Sequence, residues 1–309
     1  MSRGSRHPIG MVRPFLVADI GGTTSRFALS DGVRLRHDSI RRIANVRASG
    51  IAVLLQEYLK DVEVTPAVVC LAAAGPVSGE TIRLTNRNWQ ISRAEIARAT
   101  GCTDVVLLND LQAMGYALAV SGIAGSAIEQ PRLVLALGTG NNAAVAHPLP
   151  DGKVWVPPAE HGYHSLPFTT PEDASLLAAL IQDFGSSAIE AALSGPGLRR
   201  LHRLRTGESR PADDIAAPAP GCEATLAAAL RLLGAYLGSL ALTHLPYGGL
   251  YLAGAVGRAL YQHLSDPGFQ HHYGARGAYS DLMRQFPLRL ITDEAAPLHG
   301  AALCLAQSR

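Results

Sequence analysis

Residues 16–29 read LVADIGGTTSRFAL, and the fold is worked outward from this stretch. The apolar run 15–20 predicts a buried strand ending in the turn Gly21-Gly22, and residues 26–30 predict a strand that returns beside it. Asp31-Gly32 marks the next hairpin turn. A third strand follows, then a helix over about 49–60. Residues 65–74 are apolar without alternation, as in a sheet covered on both faces, and Gly75-Pro76 ends that run. Ser92 and Glu95 have the S-x-x-E spacing of a capping box, which starts a helix that Gly101 stops. Another buried strand, 105–108, runs directly into Asn109-Asp110 and a helix to about residue 120. A hairpin followed by crossover helices predicts a mixed sheet with helices on both sides.

The same theme returns later in the chain. A strand over 133–137 ends in Gly138-Thr139-Gly140, and the strands that follow turn at Pro150-Asp151-Gly152. Helices are predicted over about 171–183, 186–193, 196–206 and 222–244, with a polar, proline-bearing surface loop over 205–220. Strands are predicted at 250–253 and 288–292, and a closing helix at 297–307. There is no residue-level repeat, only the shared layout of strand, glycine turn and return strand. That layout predicts a duplicated α/β lobe with a cleft between the copies. Residues 14–120 with 297–309 make the small lobe, 121–296 the large one, and 1–13 a disordered tail carrying Arg3, Arg6 and Arg13.

With 309 residues, 48% hydrophobic and 17% charged, the composition is that of a globular protein with room for two cores. A formal charge of +2 gives no basic stripe for nucleic acid. Cys70, Cys102, Cys222 and Cys304 are scattered without a CxxC pair, which suits reduced thiols in a cytoplasm. The N-terminus shows no apolar signal region. The best membrane candidate, 232–243, is too short to span a bilayer and is flanked by Arg231 and His244, so it is expected to be a buried helix.

Several polar groups could carry chemistry. In Asp19-Ile20-Gly21-Gly22-Thr23-Thr24, a glycine turn can point bare backbone N–H groups at an anion. Asp19 could hold Mg²⁺ there, and Thr23 and Thr24 add hydroxyls; a plain hairpin turn would use the same glycines. Gly138-Thr139-Gly140 offers a second such turn. Gly138, Gly140 and Ala143 also match G-x-G-x-x-A, but a strand and not a helix follows, which opposes a nicotinamide site. Gly254, after the strand 250–253, is a third glycine turn whose small neighbours suit a purine or ribose, or equally packing against a helix. Asn109-Asp110 lies where a buried strand meets a helix, so Asp110 could take a hydroxyl proton or simply cap the helix. Glu160-His161-Gly162-Tyr163-His164 packs polar groups into one loop; its spacing is not that of a zinc motif, whereas a carboxylate there can pair with sugar hydroxyls. Glu190, ahead of Ser194, is a second acceptor of that kind or an exposed helix carboxylate.

Taken together, LVADIGGTTSRFAL, AAAGPVSGETIRLTNRNW, VVLLNDLQAMGYAL, LALGTGNNAAVA, LSGPGL and GGLYLAGAV, in that order from about residue 14 to the end, resemble the bacterial glucokinase family. The resemblance implies the two-lobed actin-like ATPase (ribonuclease H-like) fold and a cytoplasmic kinase that takes ATP, Mg²⁺ and D-glucose. It implies neither nucleic acid nor membrane partners, and it allows a homodimer. On it, Asp19 matches the metal-placing carboxylate, and Gly21, Gly22, Thr23 and Thr24 the first phosphate loop. Gly138, Thr139 and Gly140 match the second phosphate loop, and Gly254 the adenosine-side turn. Asp110 matches the catalytic base, and Asn86, Asn109, Glu160 and Glu190 match sugar ligands. The family's Glu-x-Gly-His becomes Glu160-His161-Gly162-Tyr163, so either Tyr163 or the displaced His164 serves the sugar, and another hexose becomes an alternative substrate. Ala255 replaces a second family glycine beside the nucleotide. The cysteine-rich zinc motif of the repressor–kinase relatives is absent, which puts the resemblance in the zinc-free group. A sugar-binding regulator without catalysis is the rival reading; it is opposed by the presence of Asp19 and Asp110.

Overall fold

A computed structural model describes residues 13–84, 87–125, 128–217 and 219–309. Asn86 and the expected tail up to residue 12 lie outside the described residues. The chain divides into two compact units, Met1–Asp110 with Ala301–Arg309, and Leu111–Gly300.

The first unit is built on β1 (Phe15–Ile20), β2 (Thr24–Asp31), β3 (Arg34–Leu35), β4 (Arg41–Ala44) and α1 (Ile51–Val62). Then come β5 (Val68–Ala73), β6 (Val77–Ser78), β7 (Thr81–Arg83), β8 (Gln90–Ser92), α2 (Arg93–Thr100) and β9 (Val105–Asn109). Its main sheet has the order β3-β2-β1-β5-β9, with β4 also on β2. β1 and β2 are antiparallel, while β1, β5 and β9 are parallel. Every residue of β5 is buried, as its unbroken apolar run requires. Leu16, Ile20, Phe27, Leu54, Leu71 and Ile96 share one core, in which the Phe27 and Tyr58 rings stack at 5.3 Å. Ser92 accepts from the Glu95 N–H, and Gly101 ends α2 at φ 70°, as its capping sequence predicts.

The second unit repeats that plan. α3 (Asp110–Ala117) follows β9 without a loop, and then come β10 (Arg132–Leu137), β11 (Asn141–Pro148) and β12 (Val154–Trp155). After α4 (Ala174–Phe184), α5 (Gly195–Thr206), α6 (Ala212–Ala216) and α7 (Glu223–His244), the chain enters β13 (Gly249–Ala253). α8 (Gly254–Tyr261), α9 (Pro267–Gly274), α10 (Ser280–Met283) and β14 (Leu288–Leu290) follow, and α11 (Ala296–Gln307) runs from the second unit back into the first. The sheet order is β12-β11-β10-β13-β14, with β10 antiparallel to β11 and parallel to β13.

Three expectations change. The helix expected over 186–193 is only a single tight turn at Ile189–Ala191, because Ala188 bridges Ser165 and the Ile189 N–H bonds to the His164 carbonyl at 2.7 Å. The loop expected over 205–220 contains α6, anchored by the fully buried Ile215. Gly254 does not form a free turn, since α8 starts on it directly.

α7 is a 22-residue helix, long and apolar enough by composition to cross a membrane, but 78% of its most apolar window is buried. It packs closely on α9: a Cβ at Gly234 would come within 2.5 Å of the Phe269 carbonyl oxygen, and one at Gly238 would strike the Arg276 guanidinium.

Candidate active site

In the first unit, the chemistry-bearing residues collect at the carboxyl ends of the parallel strands. Ile20 of β1 is level with Ala73 of β5, and Ala73 with Asn109 of β9. The turn 21–24 and Asp110 therefore emerge on the same edge, two strand spacings or roughly 10 Å apart. Asp19, 8% exposed, points from the end of β1 and accepts from Arg26 Nη1 at 3.2 Å across the β1–β2 pair. Burial pushes its carboxyl pKa up, and the Arg26 charge pulls it part of the way back.

The turn itself is fastened by Asn45, which is fully buried. Its Nδ2 donates to the Gly21 carbonyl at 2.8 Å, its Oδ1 accepts from Ser25 Oγ at 2.7 Å, and its backbone N–H reaches the Thr23 carbonyl at 2.9 Å. Arg87 Nη1 donates to the Gly22 carbonyl at 3.2 Å. The Gly21 N–H is itself bonded to the Thr24 carbonyl at 3.1 Å, so the turn's outward side is left to the exposed Thr23 and the backbone beside it. Asn109 is buried, and its Nδ2 donates to the Gly75 carbonyl at 3.1 Å; a Cβ at Gly75 would lie 2.1 Å from the Arg83 carbonyl oxygen. Asp110, half-buried, opens α3.

In the second unit, the turn 138–140 is shorter and held differently. The Gly138 N–H bonds to the Gly140 carbonyl at 2.9 Å, and the Gly195 N–H, at the head of α5, to the Gly138 carbonyl at 2.7 Å. A Cβ at Gly138 would meet nothing within 4 Å, so packing makes no demand for glycine there; space beside the backbone is what the residue provides. Gly254 is required sterically: its φ is 78°, and a Cβ would lie 2.3 Å from the Leu137 carbonyl oxygen. Ala255 is exposed on the first turn of α8.

Two carboxylates flank the start of β11. Glu190 Oε2 accepts from the Asn141 N–H at 2.8 Å, and Glu160 Oε2 from Asn142 Nδ2 at 3.2 Å. Partial desolvation raises the Glu160 pKa, and the negative charge of Glu190 raises it further. The loop 160–164 is seated on β11, where a Cβ at Gly162 would be 1.8 Å from the Asn141 carbonyl oxygen. His161 is buried and committed to structure. Its Nδ1 faces the Ala143 carbonyl at 3.1 Å, so it carries the proton and leaves Nε2 to accept from His244 Nε2 at 3.1 Å. Tyr236 donates to the His161 carbonyl at 2.8 Å. Burial lowers the His161 pKa and, with His161 beside it, takes that of His244 down to about 4. The His164 ring lies 5.0 Å from His161 and 6.3 Å from Tyr236 yet the residue is exposed, as is Tyr163 at 62%.

The residues present fit the groups that such a site would take. Gly21, Gly22, Thr23, Gly138, Thr139 and Gly140 lie in glycine turns of the kind that can cradle an anion, although the Gly21 and Gly138 N–H groups are bonded within the turns, and Asp19 is a hard oxygen ligand of the kind Mg²⁺ shares with phosphates. Arg26 already occupies one oxygen of Asp19, which suits a water-bridged ion. Asn45, Arg26, Asn142 and Tyr236 went unassigned in the sequence. The only signal for any of them was the second asparagine of GTGNN.

A sequence model of the glucokinase family matches residues 16–308. A glucokinase from Stenotrophomonas maltophilia strain R551-3 is 30% identical over 321 residues, covering 96% of each chain. The crystal structure of a glucokinase from an Antarctic psychrotroph matches with a TM-score of 0.79 and 28% identity, covering 96% of this chain and all 100% of the other. That of a Balamuthia mandrillaris glucokinase in complex with glucose shares the fold, with a TM-score of 0.76, 21% identity, and 96% and 94% coverage. The molecule is thus an enzyme, a sugar kinase built on the actin-like ATPase fold. The chain belongs to the glucokinase family.

Proposed function

We propose that this enzyme transfers the γ-phosphate of ATP to O6 of D-glucose, with Asp110 as the general base. The observation that carries the reading is the shared sheet edge of Asp110 and the 21–24 turn, since a base and a phosphate cradle two strands apart leave room for a hydroxyl and a phosphoryl group. Asp110 takes the O6 proton as that oxygen attacks phosphorus. Backbone N–H groups of the turns 21–24 and 138–140 other than those of Gly21 and Gly138 offset charge on the phosphates, and Gly254 starts α8 on the adenosine side. Mg²⁺, held through Asp19, supplies neutralising charge when bound. Asn86, Asn109, Glu160 and Glu190 hold sugar hydroxyls, and one of the two exposed side chains Tyr163 and His164 takes the place of the family histidine. Family membership supports ATP as donor, and the relative crystallised with glucose supports the sugar.

The test is Asp110→Asn, read by coupled ADP release and by calorimetry with glucose. Turnover is expected to fall by about 10²–10⁴-fold with glucose binding kept. Near-normal turnover overturns the assignment. A panel of glucose, mannose, fructose, glucosamine and N-acetylglucosamine then fixes the hexose.

A further inference from the structure

We propose that Asn142 is a positioning residue that aims the Glu160 carboxylate at the sugar, and so sets the sugar KM through Glu160. The inference rests on the reading of Glu160 as a sugar ligand.

Asn142, 8% exposed, uses both ends of its amide. Its Oδ1 accepts from two backbone groups, the Ala143 N–H at 2.8 Å and the His161 N–H at 2.8 Å. Two N–H donors demand an oxygen at that end, so the amide can stand only one way round. Its Nδ2 therefore faces the Ala159 carbonyl at 2.9 Å and Glu160 Oε2 at 3.2 Å, both acceptors. One side chain thus grips the backbone on either side of Glu160, through Ala159 and His161, and also touches the carboxylate itself.

A second anchor fixes where that grip stands. The same dipeptide, Asn141-Asn142, follows the turn 138–140 directly, and the Asn141 N–H holds Glu190. The two carboxylates lie close enough for the Glu190 charge to raise the Glu160 pKa. Left to themselves, two like charges turn apart. A donor fixed on the strand keeps Glu160 in place against that repulsion. The neighbouring His161–His244 and Tyr236 bonds seat the loop backbone but reach neither Glu160 oxygen in any bond described.

The discriminating variant is Asn142→Asp, which keeps the shape and the oxygen for both N–H donors but turns an acceptor toward Glu160. At pH 8 the glucose KM is expected to rise at least tenfold, with the KM for MgATP within twofold. As pH falls toward 6, a proton shared between the two carboxyls restores the bond and the gap narrows. In a Glu160→Gln background the introduced amide can donate to the aspartate, so the Asn142→Asp step should cost under twofold there. Asn142→Ser, too short to reach Glu160, provides a second route should the aspartate unfold the loop, and should also raise the glucose KM. The proposal is overturned if both Asn142 variants keep the parental glucose KM, if the penalty persists in the Glu160→Gln background, or if the KM for MgATP rises in parallel. Glu160→Gln alone separates the two layers. An unchanged glucose KM for it removes Glu160 from the sugar site and the proposal with it, whereas a raised KM with inert Asn142 variants removes only the proposal.

Discussion

The β1–β2 hairpin of the first unit and the β10–β11 hairpin of the second occupy the same place in sheets of the same order, yet they are equipped differently. Ile20 pairs with Ser25 and leaves 21–24 as the turn, whereas Leu137 pairs with Asn141 and leaves only 138–140. One step before the last pair, the first hairpin sets Asp19 opposite Arg26, and the second sets Ala136 opposite Asn142. The first turn is fastened by a side chain, Asn45, and the second by backbone packing through Gly195 and Gly254. One scaffold therefore carries two devices. A hairpin with a partly buried ion pair is suited to handling charge, and one with glycine-lined space and amide donors is suited to recognition.

Substitutions can break that comparison from either side. The largest effect is expected from Gly254→Ala, where the methyl meets the Leu137 carbonyl in a left-handed backbone: about 3–5 kcal/mol of stability, from strain and overpacking together. Thermal unfolding checks it, and an unchanged Tm would mean that backbone packing does not hold the second turn. Asn45→Ala comes next, at about 1–3 kcal/mol, because it leaves the Gly21 carbonyl and the Ser25 hydroxyl without their buried partner. Urea unfolding measures that loss, and the KM for MgATP should rise severalfold with it. Gly138→Ala should be the mildest for stability, within about 0.5 kcal/mol, since its methyl meets nothing. It should nonetheless raise the KM for MgATP while leaving that for glucose alone. A variant with unaltered kinetics would show that the open space beside Gly138 serves no ligand.

The buried strands were legible in the sequence because a sheet covered on both faces must be apolar throughout, as 68–73 and 133–137 are. The helices between β13 and β14 were not anticipated, since α8 begins on a glycine and α9 is short and histidine-rich. The segment 186–193 looked helical by composition, but the strand-like bridge at Ala188 overrode it. Within the candidate site, the glycine turns and the carboxylates beside them stood out because they interrupt otherwise apolar runs. Their supports did not. Asn45 acts 24 residues from Gly21, and Asn142 acts 18 from Glu160, distances over which no local pattern reports a contact.

α7 has a consequence for how the chain must be made. Its apolar surface is complete once His244 has been synthesised, but α9, which closes over Gly234, comes only with Pro267–Gly274. Until then the face of α7 that α9 covers has no partner from its own chain, and apolar surface left open in an incomplete chain promotes association. Completion of the thirty residues from Leu245 to Gly274 therefore guards the product against aggregation as much as it extends the fold, and chains that stop short of α9 are left with that face open.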